Sequence, residues 1–127
     1  MNTLANPVGW FEIHVGNMDR AKAFYESVFK RTLVALPSPD EGMRMMMFSG
    51  DPQGSGAAGA LVLHPMKKPS TEGALVYFSC KNCSVESSLA VEHGGQIFKD
   101  KFSIGLNGFI AIIGDSEGNA IGLHSFE

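Results

Sequence analysis

The sequence predicts an α+β domain in which a βαβββ unit is written twice, forming a curved mixed, mainly antiparallel sheet around a cleft with both helices outside. Three observations carry this expectation. Residues 10–15 alternate with period two, an amphipathic helical stretch follows almost at once, and the same order of segments starts again about 65 residues later. In the opening segment Phe11, Ile13 and Val15 share one face while Trp10, Glu12 and His14 share the other, the pattern of a half-buried strand. Asn17 or Asp19 then offers a helix cap, and Ala21, Phe24, Tyr25, Val28 and Phe29 recur at helical spacing, so that stripe should lie on the apolar strand face. Residues 33–36 read as a strand, Pro37, Ser38 and Pro39 as breakers, the apolar run 43–48 as a strand, 50–59 as a Gly-rich loop and 60–63 as a fourth strand. The second unit runs through a strand at 74–80, a helix opened by Ser84 that carries Val85 and Leu89, a stop at Gly94 and Gly95, and strands at 97–102, 109–113 and 120–126. Setting Asn17 on Asn82 places Phe24 on Leu89 and Leu33 on Phe98 as matching core positions. The expected organisation is a single domain over 1–127, with module 1 spanning about 8–66 and module 2 about 72–127.

Composition narrows the function classes. A chain of 127 residues, 44% hydrophobic and 18% charged, has one core's worth of apolar side chains. A net charge of -3 with 10 Lys+Arg spread along the chain argues against a nucleic-acid or anionic-membrane footprint. No apolar run approaches the roughly 20 residues that cross a bilayer. The N-terminus lacks a basic stretch followed by an apolar one, and the two cysteines, three apart, cannot staple distant segments. The expectation is a cytoplasmic protein whose partner is a small molecule.

Phe11-Glu12-Ile13-His14-Val15, followed by Asp19-Arg20-Ala21-Lys22-Ala23-Phe24-Tyr25, resembles the opening strand and helix of the vicinal oxygen chelate superfamily, which includes glyoxalase I, bleomycin-resistance proteins and extradiol dioxygenases. Asp115-Ser116-Glu117-Gly118-Asn119-Ala120-Ile121 is similar to that family's closing turn, and the likeness is greatest to its small bacterial glyoxalase-related members. The resemblance implies a homodimer and, in catalytic members, a divalent metal held by His, Gln or Glu from the first and last strands of the modules. Carried over residue by residue, those ligand positions are Trp10, Leu75 and Gly122, and the matching stretch 60–63 holds no donor. Such side chains do not bind zinc, nickel or iron, so no metal and no cofactor is expected.

Strand alternation places Trp10, Glu12 and His14 of the first strand, Tyr77 and Ser79 of the fifth, and His124 of the last on the side where the resemblance puts the cleft. Trp10, Glu12, His14, Tyr77 and His124 are the candidate ligand-binding residues. An indole in a ligand position suits stacking on a planar or aromatic molecule, or else it plugs a disused cavity. Met43, Met45, Met46 and Met47 would add an adaptable wall, or simply fill the core. Three functions remain open: a small-molecule binding protein or glyoxalase-related enzyme without the ancestral metal; a metal-dependent lyase, isomerase or dioxygenase with relocated ligands Glu12, His14 and His124; and a structural or interaction domain in which Trp10 and the methionines close the cavity. Cys80-Lys81-Asn82-Cys83 lacks the parallel βαβ context of a redox motif and reads as free thiols. His64 and His93 sit at element ends and are expected to face solvent.

Overall fold

The computed structural model describes residues 6–38, 41–51 and 53–127. Pro39, expected as a breaker, lies outside the described residues. The elements follow the order β1 (Trp10–His14), α1 (Met18–Phe29), β2 (Leu33–Leu36), β3 (Arg44–Phe48), β4 (Ala58–Leu63), β5 (Val76–Ser79), α2 (Cys83–Glu92), β6 (Gln96–Ser103), a short 3-10 turn at Gly105–Asn107, β7 (Phe109–Gly114) and β8 (Ala120–Ser125). The strands form two four-stranded sheets of identical plan, β1-β4-β3-β2 and β5-β8-β7-β6. In each, the first strand runs parallel to the last and the other pairs are antiparallel. The doubled βαβββ architecture is therefore observed, as two open sheets.

The repeat extends to backbone detail. Asn17 caps α1 at φ -146 and ψ 109, and Asn82 caps α2 at φ -147 and ψ 106, each accepting a backbone N–H through its side chain. Extended asparagines do this well because the short side chain reaches a helix donor that otherwise has no partner. The α1 stripe of Met18, Ala21, Phe24, Tyr25 and Val28 is buried as its spacing requires. Tyr25 and Phe29 meet Phe78 of β5, and Phe11 of β1 meets both Phe48 and Phe78, so one aromatic cluster spans the two modules.

A buried polar tie joins the modules as well. The Tyr25 hydroxyl donates to Asp115 Oδ2 at 2.6 Å, and Asn119 Nδ2 donates to the same oxygen and to the His14 carbonyl. Asp115 Oδ1 accepts the backbone N–H groups of Glu117 and Asn119. The closing turn thus holds the end of β1 and the middle of α1. Its Glu117 also reaches the start of α1, where Oε1 accepts from Gly16 N and Asn17 N at 2.8 Å and both oxygens engage the Arg20 guanidinium.

Several expectations fail for local reasons. Asn82 rather than Ser84 starts α2, and the buried face is Cys83, Ser87 and Ala90, which leaves Val85 53% exposed. Phe98 is not a core counterpart of Leu33: Ile97 pairs with Ile113 and packs against the core, as Leu33 pairs with Phe48, so alternation turns Phe98 to the other face and leaves it 45% exposed. The fourth strand starts at Ala58 rather than 60, because Gly59 pairs with Phe11 and its missing side chain makes room for the Phe11 ring. β8 stops at Ser125, and Phe126 lies edge-on to the His124 ring.

Candidate functional site

The face of each sheet turned away from the shared core carries the candidate residues. On β1, Phe11, Ile13 and Val15 enter the core, so alternation turns Trp10, Glu12 and His14 to the opposite side. Register extends this face in rows. Glu12 is followed by Ala60, Met47 and Val34, and His14 by Val62, Met45 and Leu36. Met46 alone of the methionine run is in the core, while Met43, Met45 and Met47 are half-buried. Trp10 is 41% exposed and its Nε1–H donates to Glu12 Oε2 at 3.1 Å. An indole so exposed is no plug of a closed cavity. His14 is held below its ordinary value of 6.5, first by partial burial and then by Lys67 and His64, which outweigh Glu12.

On the second sheet the corresponding rows are Ser79, His124, Ile110 and Phe102, and Tyr77, Gly122, Ile112 and Lys99. Tyr77, Ser79, Ile104, Ile110 and His124 line a cavity of about 350 Å³. Tyr77 lies over Gly122: a Cβ there would stand 2.5 Å from the ring, so glycine is what lets the phenol sit on the floor of the sheet. His124 Nε2 lies 2.6 Å from the Asn107 carbonyl oxygen. A carbonyl can only accept, so Nε2 carries the proton and the neutral ring keeps Nδ1 as its acceptor. The same bond anchors the 3-10 turn at the mouth of the cavity.

The structure brings Tyr77, Ser79 and His124 together on one cavity, and Trp10, Glu12 and His14 together on the other open face. Sequence reasoning missed Ile104 and Ile110. The period-two pattern of β7 could have given Ile110, whereas Ile104 is placed by a turn that no local signal specifies. His64, expected to face solvent, is half-buried, accepts the Met66 N–H on Nδ1 at 2.9 Å and lines a second cavity beside His14 and Lys67. His93 is exposed at the end of α2.

The residues at the metal positions implied by the resemblance do not fit a metal. Trp10, Leu75 and Gly122 offer no donor, and the space beside Gly122 is filled by the Tyr77 ring. Among the described residues no three His, Cys, Asp or Glu side chains converge as ligands would. Glu12 is engaged by the indole, and His124 Nε2 by a carbonyl. Cys80 and Cys83 are free thiols; Cys83 is buried at the start of α2, and burial together with Glu86 pushes the Cys80 thiol up to about 12, which keeps it protonated and poorly nucleophilic.

No family model and no curated protein matches this sequence. Solved structures do. Glyoxalase I from Leishmania major, described as trypanothione-dependent, superposes with a TM-score of 0.72 at 17% identity, over 95% of this chain and 87% of its own. Glyoxalase I from Zea mays gives 0.69 at 19% identity over 94% of this chain, which spans only 46% of the maize chain. An antibiotic binding protein from a Streptomyces species gives 0.64 at 20% identity, over 100% of both chains. The chain therefore has the fold of the vicinal oxygen chelate superfamily.

Proposed function

We propose that this chain, built on the vicinal oxygen chelate fold, binds a small planar or aromatic molecule on its open sheet faces. Trp10 and Tyr77 serve as aromatic walls, and Glu12, His14, Ser79 and His124 as the polar edge. The observation that carries this is the pair of large aromatic side chains, Trp10 and Tyr77, left 41% and 45% exposed on the first strand of each module beside hydrogen-bonding groups. Exposed aromatics next to polar groups are what stacking recognition needs. An antibiotic binding protein and glyoxalase I share this fold alike, so the choice between binding and catalysis rests on the side chains. The alternative, a lyase, isomerase or dioxygenase using Glu12, His14 and His124 as relocated ligands, is less well supported, since two of these three are committed to other partners.

β1 and β5 are both edge strands, and each carries candidate residues. An edge strand offers unpaired backbone groups that a second chain can approach. The proposal therefore includes a homodimer in which a partner's open face closes the site, in a cytoplasmic protein. No described helix is long and apolar enough to cross a membrane.

Trp10 is the only tryptophan, so its fluorescence has one source. Titration with a panel of planar aromatic compounds should give saturable quenching, and Trp10→Ala should weaken binding, followed by calorimetry, by about 1–3 kcal/mol. Sedimentation of the same protein reads the dimer. If no compound of the panel binds, or Trp10→Ala binds as the parent does, the stacking site is wrong; a monomer that still binds removes only the shared-site element.

A further inference from the structure

We propose that the pocket at the C-terminal ends of β1 and β4 is a binding site for a small oxyanion, the carboxylate or phosphate group of a metabolite, held by His64, Lys67 and Lys68. The cavity measures about 370 Å³ and has an apolar floor of Val15 and Leu63. That volume lies within the range of small-molecule sites. It does not overlap the Tyr77–His124 cavity, and the inference stands whether or not an aromatic ligand binds there.

Charge is the first argument. The protein is acidic overall, yet two adjacent lysines and a histidine meet at one cavity. The ion pairs among the described residues join Arg20 to Glu117 and Lys22 to Glu26, so the ammonium groups of Lys67 and Lys68 have no described carboxylate partner. Cations gathered without a counter-charge repel each other, and an anion in the pocket relieves that cost. The positive field is felt next door: Lys67 and His64 both oppose protonation of His14, despite Glu12 on the same strand.

Geometry is the second. Lys67 N donates to the His64 carbonyl at 3.2 Å, closing a tight turn that keeps the two residues side by side. Because His64 Nδ1 accepts the Met66 N–H, the neutral ring carries its proton on Nε2, which leaves that N–H as the ring's remaining donor. Pro65, between His64 and Lys67, and Pro69, after Lys68, fix φ at two points of the segment, so less backbone freedom is lost when a ligand binds. Ammonium and imidazole donors above an apolar floor suit an oxyanion with a short hydrocarbon remainder.

The test is a titration of the full chain, at constant ionic strength, with inorganic phosphate in one arm and succinate in the other, followed by backbone amide NMR. Saturable shifts concentrated at Gly16, His64, Lys67 and Lys68 are expected in at least one arm. The arm that saturates tells whether phosphate or carboxylate is preferred. The double variant Lys67→Gln/Lys68→Gln should weaken this binding by about tenfold or more, since each charge-assisted bond carries that order of affinity. Both lysines are exposed, so the variant keeps the parent's circular dichroism and its failure to bind reports the site. Shifts that do not saturate in either arm, shifts spread evenly over distant cations such as Arg44 and Lys99, or undiminished binding by the double variant would overturn the proposal.

Discussion

Replacing Glu117 by Gln removes a charge while keeping the shape of a side chain that joins the closing turn to the start of α1. Glu117 Oε1 accepts from Gly16 N and Asn17 N at 2.8 Å, and Oε2 takes Arg20 Nε at 2.6 Å, with the side chain itself wholly covered. A glutamine retains one accepting oxygen but sets an NH2 donor among donors. Hydrogen bonds to a charged group contribute about 1.5–3 kcal/mol each, and bonds that share one carboxylate do not add. The expected loss is about 2–4 kcal/mol, most of it from backbone donors left without an acceptor.

The acid limb of the stability curve tests the same reasoning. Burial alone would raise the Glu117 carboxyl, but Arg20 and the Asn17 and Gly16 amides outweigh it and hold the group below its ordinary 4.5. A depressed folded value means the contribution is fully present above the ordinary value and is lost as pH falls through the folded one. Urea unfolding of parent and Glu117→Gln should thus show a gap at neutral pH that closes on acidification. Equal stabilities at neutral pH, or a gap that widens in acid, would refute the account.

Tyr25→Phe should cost about 1–3 kcal/mol by the same assay, because it leaves Asp115 Oδ2 short of one buried donor. The Tyr25 phenol lies well above its ordinary 10.0, raised by burial and then by Asp115, so its contribution is whole below that value and lost as pH rises through the folded one; Tyr25→Phe should lack that alkaline loss. Lys30 ends α1 at φ 56, a left-handed backbone without the glycine that suits it. Lys30→Gly should therefore raise the unfolding free energy by about 1 kcal/mol in urea titration, and a decrease would show that the lysine side chain makes a compensating contact.

The strands and helices were legible wherever a short-range period decides them. Trp10 to His14 alternate because one face meets the core, and the α1 stripe is buried because Phe24, Tyr25 and Val28 fall on one side of a helix. The repeat offset failed at Phe98, because the second module reaches the matching core position one residue earlier, at Ile97, and hydropathy failed at Val85, because α2 buries small residues and a serine that it ranks below valine. The side of the sheet on which Trp10, Glu12, His14, Tyr77 and His124 stand followed from alternation. The partners that define their chemistry did not: the His124 bond to Asn107 spans a turn, and the gathering of His64 with Lys67 depends on a bridge no periodicity encodes.

The closing turn also orders events during synthesis. The His14 carbonyl and the Tyr25 hydroxyl find their partners on Asn119 and Asp115, and Phe11 and Phe29 find Phe78. A nascent chain that has emerged only through β4 already holds all the strands of its first sheet. It still lacks the acceptor for a buried phenol and the aromatic wall that covers its core. The first module therefore depends on residues 78–119 to satisfy its buried phenol and complete its aromatic cluster, so a fragment ending after β4 should not hold the native packing.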